Sequence, residues 1–349
     1  MLPAILPPAP LRLPARLAVA GALAALAASG CGSTTAVSDL PPAAEPSKAP
    51  PLTQRPAGRT IDVGAGPEGV AADGRTGVVA VALREPDRVA LVDGRRGRLR
   101  RTVAVPAAAR HLSLAGPGGP VLVPAEKADR LATVGLPGGR VRAIAVGRQP
   151  HDAAAADGRI FAGNELGASV SVIEGGKVVR TFAVASQPGG VAPLDGGRLV
   201  AVVSVRERVL ELFDSRTLRR VARVPAGLGP THVVTDGRDH VYVVDTSGGA
   251  LLVYHLRPKL ELTRRASIPG APYGLAYDEH RGNVWVTTTE RNTLVQLSGG
   301  GAARRLNTFP AVRQADTVSV DPRTGRVFVT GRIGGVLQLL DPPPPAGAG

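Results

Sequence analysis

A unit of about 42 residues recurs seven times in this chain, and that period constrains the fold more than any other feature. The segments GPEGVAAD (66–73), ARHLSLAG (109–116), QPHDAAAADGR (149–159), QPGGVAPLDGGR (187–198), GPTHVVTDGR (229–238), APYGLAYDEHRG (271–282) and QADTVSVDPRTGR (314–326) align on Pro67, Ala109, Pro150, Pro188, Pro230, Pro272 and Ala315. The spacings are 42, 41, 38, 42, 42 and 43 residues. Units one to six each hold four short apolar runs of strand length with period two. In the first these are GVAA, VVAVAL, RVALVD and LRRTVAV, separated by turns such as Asp73-Gly74-Arg75-Thr76-Gly77. Asp-Gly or Asp-Pro turns recur at 73, 157, 236 and 321, where the chain needs a positive or preset φ. No amphipathic helical stretch of useful length interrupts them. Four strands per 40-residue repeat give an all-β fold, a seven-bladed β-propeller of four-stranded blades. The seventh unit stops after three strands at a Pro tail. Residues 59–63, Arg-Thr-Ile-Asp-Val, match the fourth-strand pattern, so the N-terminal strand is expected to complete the last blade. Closing the ring this way leaves no open edge at the seam.

The segments flanking the repeats carry an address. Residues 1–30 hold Arg12 and Arg16, no acid, and an apolar Ala-rich run, AVAGALAALAAS. That run is too short for a stable membrane span and fits a secretory signal peptide. It ends in Ala28-Ser29-Gly30-Cys31, which resembles a bacterial lipobox. The resemblance implies cleavage after Gly30 and lipid attachment to Cys31, the only cysteine of the chain. It places the protein on the extracytoplasmic face of the cell membrane, where a multi-chain anchor is effectively permanent. One cysteine also excludes an intramolecular disulfide framework. Residues 31–58 follow as the lipidated Cys and a Pro/Ala-rich segment with no apolar period, read as a disordered tether. The propeller takes 59–341, and 342–349 form a disordered Pro/Gly tail.

The string GNELGASVSVIEGGKVVRTFAVASQPGGVA (163–192), with NVWVTTTERNTLVQL (283–297), resembles the YVTN-type repeat of YncE-like seven-bladed propellers. The resemblance covers about 60–341 and implies the fold. One fold hosts many activities, so function has to be read from the site. In such propellers the innermost strand of each blade starts near the central channel. The position after each anchor then gives Glu68, Arg110, His151, Gly189, Thr231, Tyr273 and Asp316. The next gives Gly69, His111, Asp152, Gly190, His232, Gly274 and Thr317. The candidate ligand-binding residues of this funnel are Glu68, Arg110, His111, His151, Asp152, His232, Tyr273 and Asp316. Blades 7, 1, 2 and 3 form a polar arc, and Gly189-Gly190 of blade 4 leave room beside it. The same rows suit a solvated channel mouth.

Imidazole with carboxylate suits zinc or copper, but no H-x-H or H-x-x-x-H pair is present, and His151 and His232 lie two blades apart. Some similar propellers are streptogramin lyases using His, Glu and a divalent metal, and their compact His/Glu cluster does not map onto these positions. No nucleophile elbow or phosphate loop is present. The expectation is a membrane-tethered, noncatalytic binding module for a protein, glycan or small ligand, monomeric and requiring no cofactor or metal. The alternative is a funnel enzyme or metal-binding protein. The net charge of +14 comes almost entirely from Arg, with only Lys48, Lys127, Lys177 and Lys259 beside it, which matches the Ala, Gly and Pro bias of a GC-rich genome. With 3% aromatic residues, the composition argues against nucleic-acid binding. Charged loops such as 84–88, 126–130, 206–208 and 290–292 are read as a solvated rim or protein-docking surface on the funnel face. Trp285, at an apolar strand position, is read as core.

Overall fold

A computed structural model describes residues 41–343. Seven four-stranded antiparallel sheets follow one another around a ring. The first blade shows the plan, with β2 (Ala65–Asp73) innermost, then β3 (Val78–Glu85), β4 (Asp87–Asp93) and β5 (Arg98–Ala104) outward. The two middle strands face a neighbouring blade on each side, which is why they read as continuous apolar runs rather than strict alternation. Val78 to Leu83 are all buried, whereas β5 is mostly exposed and rich in Arg. Charged outer strands discourage edge-to-edge pairing with another chain. The core lies between blades. Val203 and Leu212 of blade 4 pack with Val243 and Leu252 of blade 5, and Val79 and Val81 of blade 1 pack with Phe328 and Leu337 of blade 7. Trp285 is fully buried among Leu294, Val318 and Val329.

The seam closes as the repeat implies. Strand β1 (Arg59–Asp62) pairs antiparallel with β28 (Val336–Leu340), completing the sheet of β26 (Ala315–Val320) and β27 (Val327–Gly331). Turn carboxylates do structural work. Asp73, Asp93, Asp214, Asp236, Asp278 and Asp321 each accept backbone N–H bonds from residues two or three further on. Blade 2 departs from the pattern, because its innermost strand β6 shrinks to Ser113–Leu114. Arg110 and His111 therefore sit in an irregular lead-in. A Cβ on Gly69 would lie 3.1 Å from the Arg110 carbonyl oxygen, so this glycine lets blade 1 approach that lead-in.

Cys31, the signal sequence, the first part of the expected tether and the end of the C-terminal tail lie outside the described residues. Residues 41–58 hold no regular secondary structure. They are nevertheless not a free spacer, since Ala49 is buried and its N–H donates to Gln314 Oε1 at 2.9 Å. Gln314 Nε2 donates to the Ser47 carbonyl at 3.1 Å, and Asn292 Nδ2 to the Pro50 carbonyl at 3.0 Å. Proline keeps such a segment extended, and side-chain amides of blades 6 and 7 satisfy its backbone. Among the described residues no helix is long and apolar enough to cross a membrane.

Candidate functional site

Two successive residues per blade reach the channel because the innermost strands are bulged there. The pairing register slips between Pro150 and Asp152, Pro188 and Gly190, Pro230 and His232, Pro272 and Leu275, Ala315 and Val318, and Pro67 and Val70. A bulge leaves a residue unpaired and re-aims its side chain. His151, Thr231, Tyr273, Asp316 and Glu68 occupy these bulges.

The polar arc exists, and it is denser than the two aligned rows. A third row contributes from the ends of the second strands, with Arg84 near the end of β3 and Glu126, Glu165 and Arg332 just after theirs. In the sequence, Arg84 and Glu126 read as part of a solvated rim or protein-docking surface. The structure turns them inward, with 19% and 8% of their side chains exposed. The signal was available, since these residues stand one register beyond the partner of the anchor, as in the pairs Pro67↔Leu83 and Pro150↔Asn164. Glu68 pairs with Arg84, whose Nη2 also lies 3.8 Å from Glu126 Oε2. Arg110 Nε approaches the same Glu126 oxygen at 3.8 Å. His151 Nδ1 sits 3.5 Å from Glu126 Oε1 and 3.3 Å from Glu165 Oε2. Arg332 Nη1 lies 4.0 Å from Asp316 Oδ2, while Gln314 Nε2 donates to Asp316 Oδ1 at 2.8 Å.

The histidines, kept apart when each blade is read separately, meet across the channel. His111 Nε2 lies 3.2 Å from His151 Nε2. The His111 ring is 4.5 Å from that of His232, which stands edge-on to Tyr273 at 4.6 Å. Burial disfavours a charge on all three imidazoles. For His111, burial and the neighbouring His232 and His151 push the pKa well below the ordinary value. Burial with His151 and Arg110 pushes His232 down to about 3. For His151 the carboxylates Glu165 and Glu126 outweigh burial, and its pKa is raised. Of the three rings His151 holds a proton most strongly, and its Nε2 faces the Nε2 of His111. The flanking carboxylates diverge. Burial raises Glu126 despite His151 and the arginines, whereas the bond from His151 overcomes burial and lowers Glu165.

Below this layer a cavity of about 360 Å³ runs along the axis. His111, Asp152 and His232 stand at its inner end, and Ala154, Ala192, Ala276 and Ser319 are in its wall. It extends to Gly237 and Glu279, which are exposed in the turns at the opposite end of the innermost strands. His232 is buried with neither ring nitrogen bonded to a protein atom. Asp152 is partly committed, its Oδ2 accepting from Val191 N at 2.9 Å and its Oδ1 from Ala153 N at 2.8 Å. Burial outweighs these bonds and lifts its pKa to about 6.

The space expected beside Gly189-Gly190 is filled. A Cβ on Gly189 would lie 2.5 Å from Val205 Cγ1, and one on Gly190 2.9 Å from Val233 Cγ1. Val205 and Val233 close the gap from the blade side, while Gly189 still borders the channel mouth beside Arg110, His151 and Tyr273. Among the described residues no group of three or more His, Cys, Asp or Glu is placed to hold a metal ion. The arrangement can seat a small polar molecule in the cavity beside His111, Asp152 and His232.

No family model and no curated protein matches the chain. Solved structures do match at the level of fold. A Kuenenia stuttgartiensis hydrazine synthase chain aligns with TM-score 0.70 and 13% identity over 80% of this chain and 96% of that one. A streptogramin B lyase aligns with TM-score 0.67 and 12% identity over 80% and 97%. The β-propeller domain of Myceliophteria thermophila Cps50 (Swd1) aligns with TM-score 0.68 and 11% identity over 82% and 98%. At these identities the likeness is one of fold, the seven-bladed β-propeller.

Proposed function

We propose that this protein is a lipid-anchored, extracytoplasmic propeller of the YVTN/YncE-like type whose central channel binds a small polar ligand without transforming it. The observation that carries the reading is His232, buried at the inner end of the channel cavity with both nitrogens unbonded to protein, beside His111 and Asp152. A buried polar group without a partner costs about 1–3 kcal/mol, so a ligand that supplies one is favoured there. A neutral imidazole offers one donor and one acceptor, which suits a hydroxyl- or amide-bearing molecule. The cavity volume falls at the small end of ligand pockets. Mass spectrometry of the intact, mildly extracted protein is expected to find such a molecule bound.

The anchor rests on the single cysteine after a small-residue cleavage site. Cys31→Ser is expected to move the protein from the membrane fraction to the soluble fraction or to block its maturation. Unchanged fractionation contradicts the anchor.

A second reading is an acid–base enzyme at the other end of the channel, in the manner of a streptogramin lyase. It is favoured by the opposed pKa shifts of Glu126 and Glu165 on either side of His151. The absence of a nucleophile or metal-ligand pattern in the sequence leaves it second.

A further inference from the structure

We infer that the Arg110 end of the channel is a recognition site for an extended Pro/Ala-rich peptide bearing a carboxylate, and that residues 43–50 of the chain occupy it in cis. This site lies at the end of the channel opposite the exposed turns at Gly237 and Glu279, where the cavity opens.

The geometry is that of a bound peptide. Glu45 Oε2 accepts from Arg110 Nη1 at 2.8 Å. Arg110 is oriented from behind by buried Glu126, 3.8 Å from its Nε, so the guanidinium presents its outer nitrogen to an incoming carboxylate. Ala43 and Ala44 sit against His151, Gly189, Thr231 and Tyr273, leaving a cavity of only about 20 Å³ beneath them. So small a residual gap means that the two alanines fill the seat closely. The backbone beyond is read by side chains rather than by strand pairing. Gln314 contacts both Ser47 and Ala49, Asn292 contacts Pro50, and Arg313 Nε reaches the Ala49 carbonyl at 3.4 Å. Ser47 Oγ adds a bond to Glu290 Oε1 at 3.0 Å.

The two ends of the strap are held unequally. Ala49 is 2% exposed and bonded through its backbone on both sides. The Glu45 side chain is 63% exposed, and exposed ion pairs hold weakly. The Glu45 end therefore releases first, while Ala49 keeps the strap beside the mouth. Once it lifts, Arg110, His151 and Tyr273 face a second acidic peptide.

The test uses the full chain and an acetylated, fluorescein-labelled peptide of residues 41–48, PPAAEPSK. Replacing 41–48 in the chain with Gly/Ser of equal length is expected to tighten peptide binding about tenfold or more. A tethered competitor acts at an effective concentration of the order of millimolar. The single change Glu45→Gln is expected to tighten it a few-fold. The peptide with Gln for Glu, or Arg110→Gln in the replaced chain, is expected to bind a few-fold more weakly, with melting temperature confirming that the variant folds. Arg110→Lys should restore part of the affinity. Equal binding to the parent and replaced chains, binding indifferent to the peptide carboxylate, or no binding at all overturns the inference.

Discussion

His151 holds the residue-scale chemistry of the site. It is buried between two carboxylates and bonded through its other nitrogen to His111. Its pKa stands above the ordinary imidazole value because Glu165 and Glu126 outweigh burial. The fold therefore prefers the protonated form. The stabilisation is complete below the unfolded value of about 6.5 and is lost as pH rises through the raised folded value. Comparing melting temperatures of the parent and His151→Gln is expected to show a difference that shrinks as pH climbs above neutrality. In side-chain NMR, His151 should titrate above 6.5 and His232 only near 3. A difference that grows with pH contradicts the raised His151 value. The residues of this cluster were visible in the sequence, but their meeting was not. Aligning blades places each side chain within its own blade, and His111 reaches His232 across the axis, a direction that the repeat does not encode. Gly189 shows the opposite difficulty. A glycine that leaves room and one that admits a neighbour are the same letter, and only Val205 decides between them.

At the scale of elements, the closing strand makes the clearest commitment. β1 exchanges four residue pairings with β28, from Arg59↔Leu339 to Asp62↔Val336, and Ile61 packs with Leu337 and Leu339. Replacing 59–62 with Gly-Ser-Gly-Ser removes these contacts and bares the edge of β28. At roughly 1 kcal/mol per net backbone hydrogen bond, the loss is about 2–4 kcal/mol. Denaturant unfolding should show it as a lower midpoint, and an unchanged midpoint contradicts closure by β1. This strand was legible because it carries the fourth-strand pattern in the one place where a fourth strand was missing. The strap just before it was not. Its composition shows no hydrophobic period, which excludes regular structure, but composition does not say which groups satisfy its backbone. Here they are Gln314 and Asn292, far away in sequence.

For the whole molecule, the seven repeats build a ring whose axis holds two chemically distinct ends. One end is charged, with its mouth crossed by the chain's own residues 43–50. The other opens into a cavity walled by small side chains and ended by His111, Asp152 and His232. Small residues along the innermost strands set that division. Alanines at 154, 192 and 276 keep the channel open, while Gly69, Gly190 and Gly274 let the strands above it close together. A small polar ligand is proposed to fill this cavity. The most direct measurement is native mass spectrometry of the full-length protein beside Ala192→Phe, which puts a ring into the cavity wall. A small molecule is expected to travel with the parent, to be released on denaturation and to be missing from a correctly folded Ala192→Phe protein. A parent that carries no small molecule, or a molecule retained equally by both proteins, would contradict it.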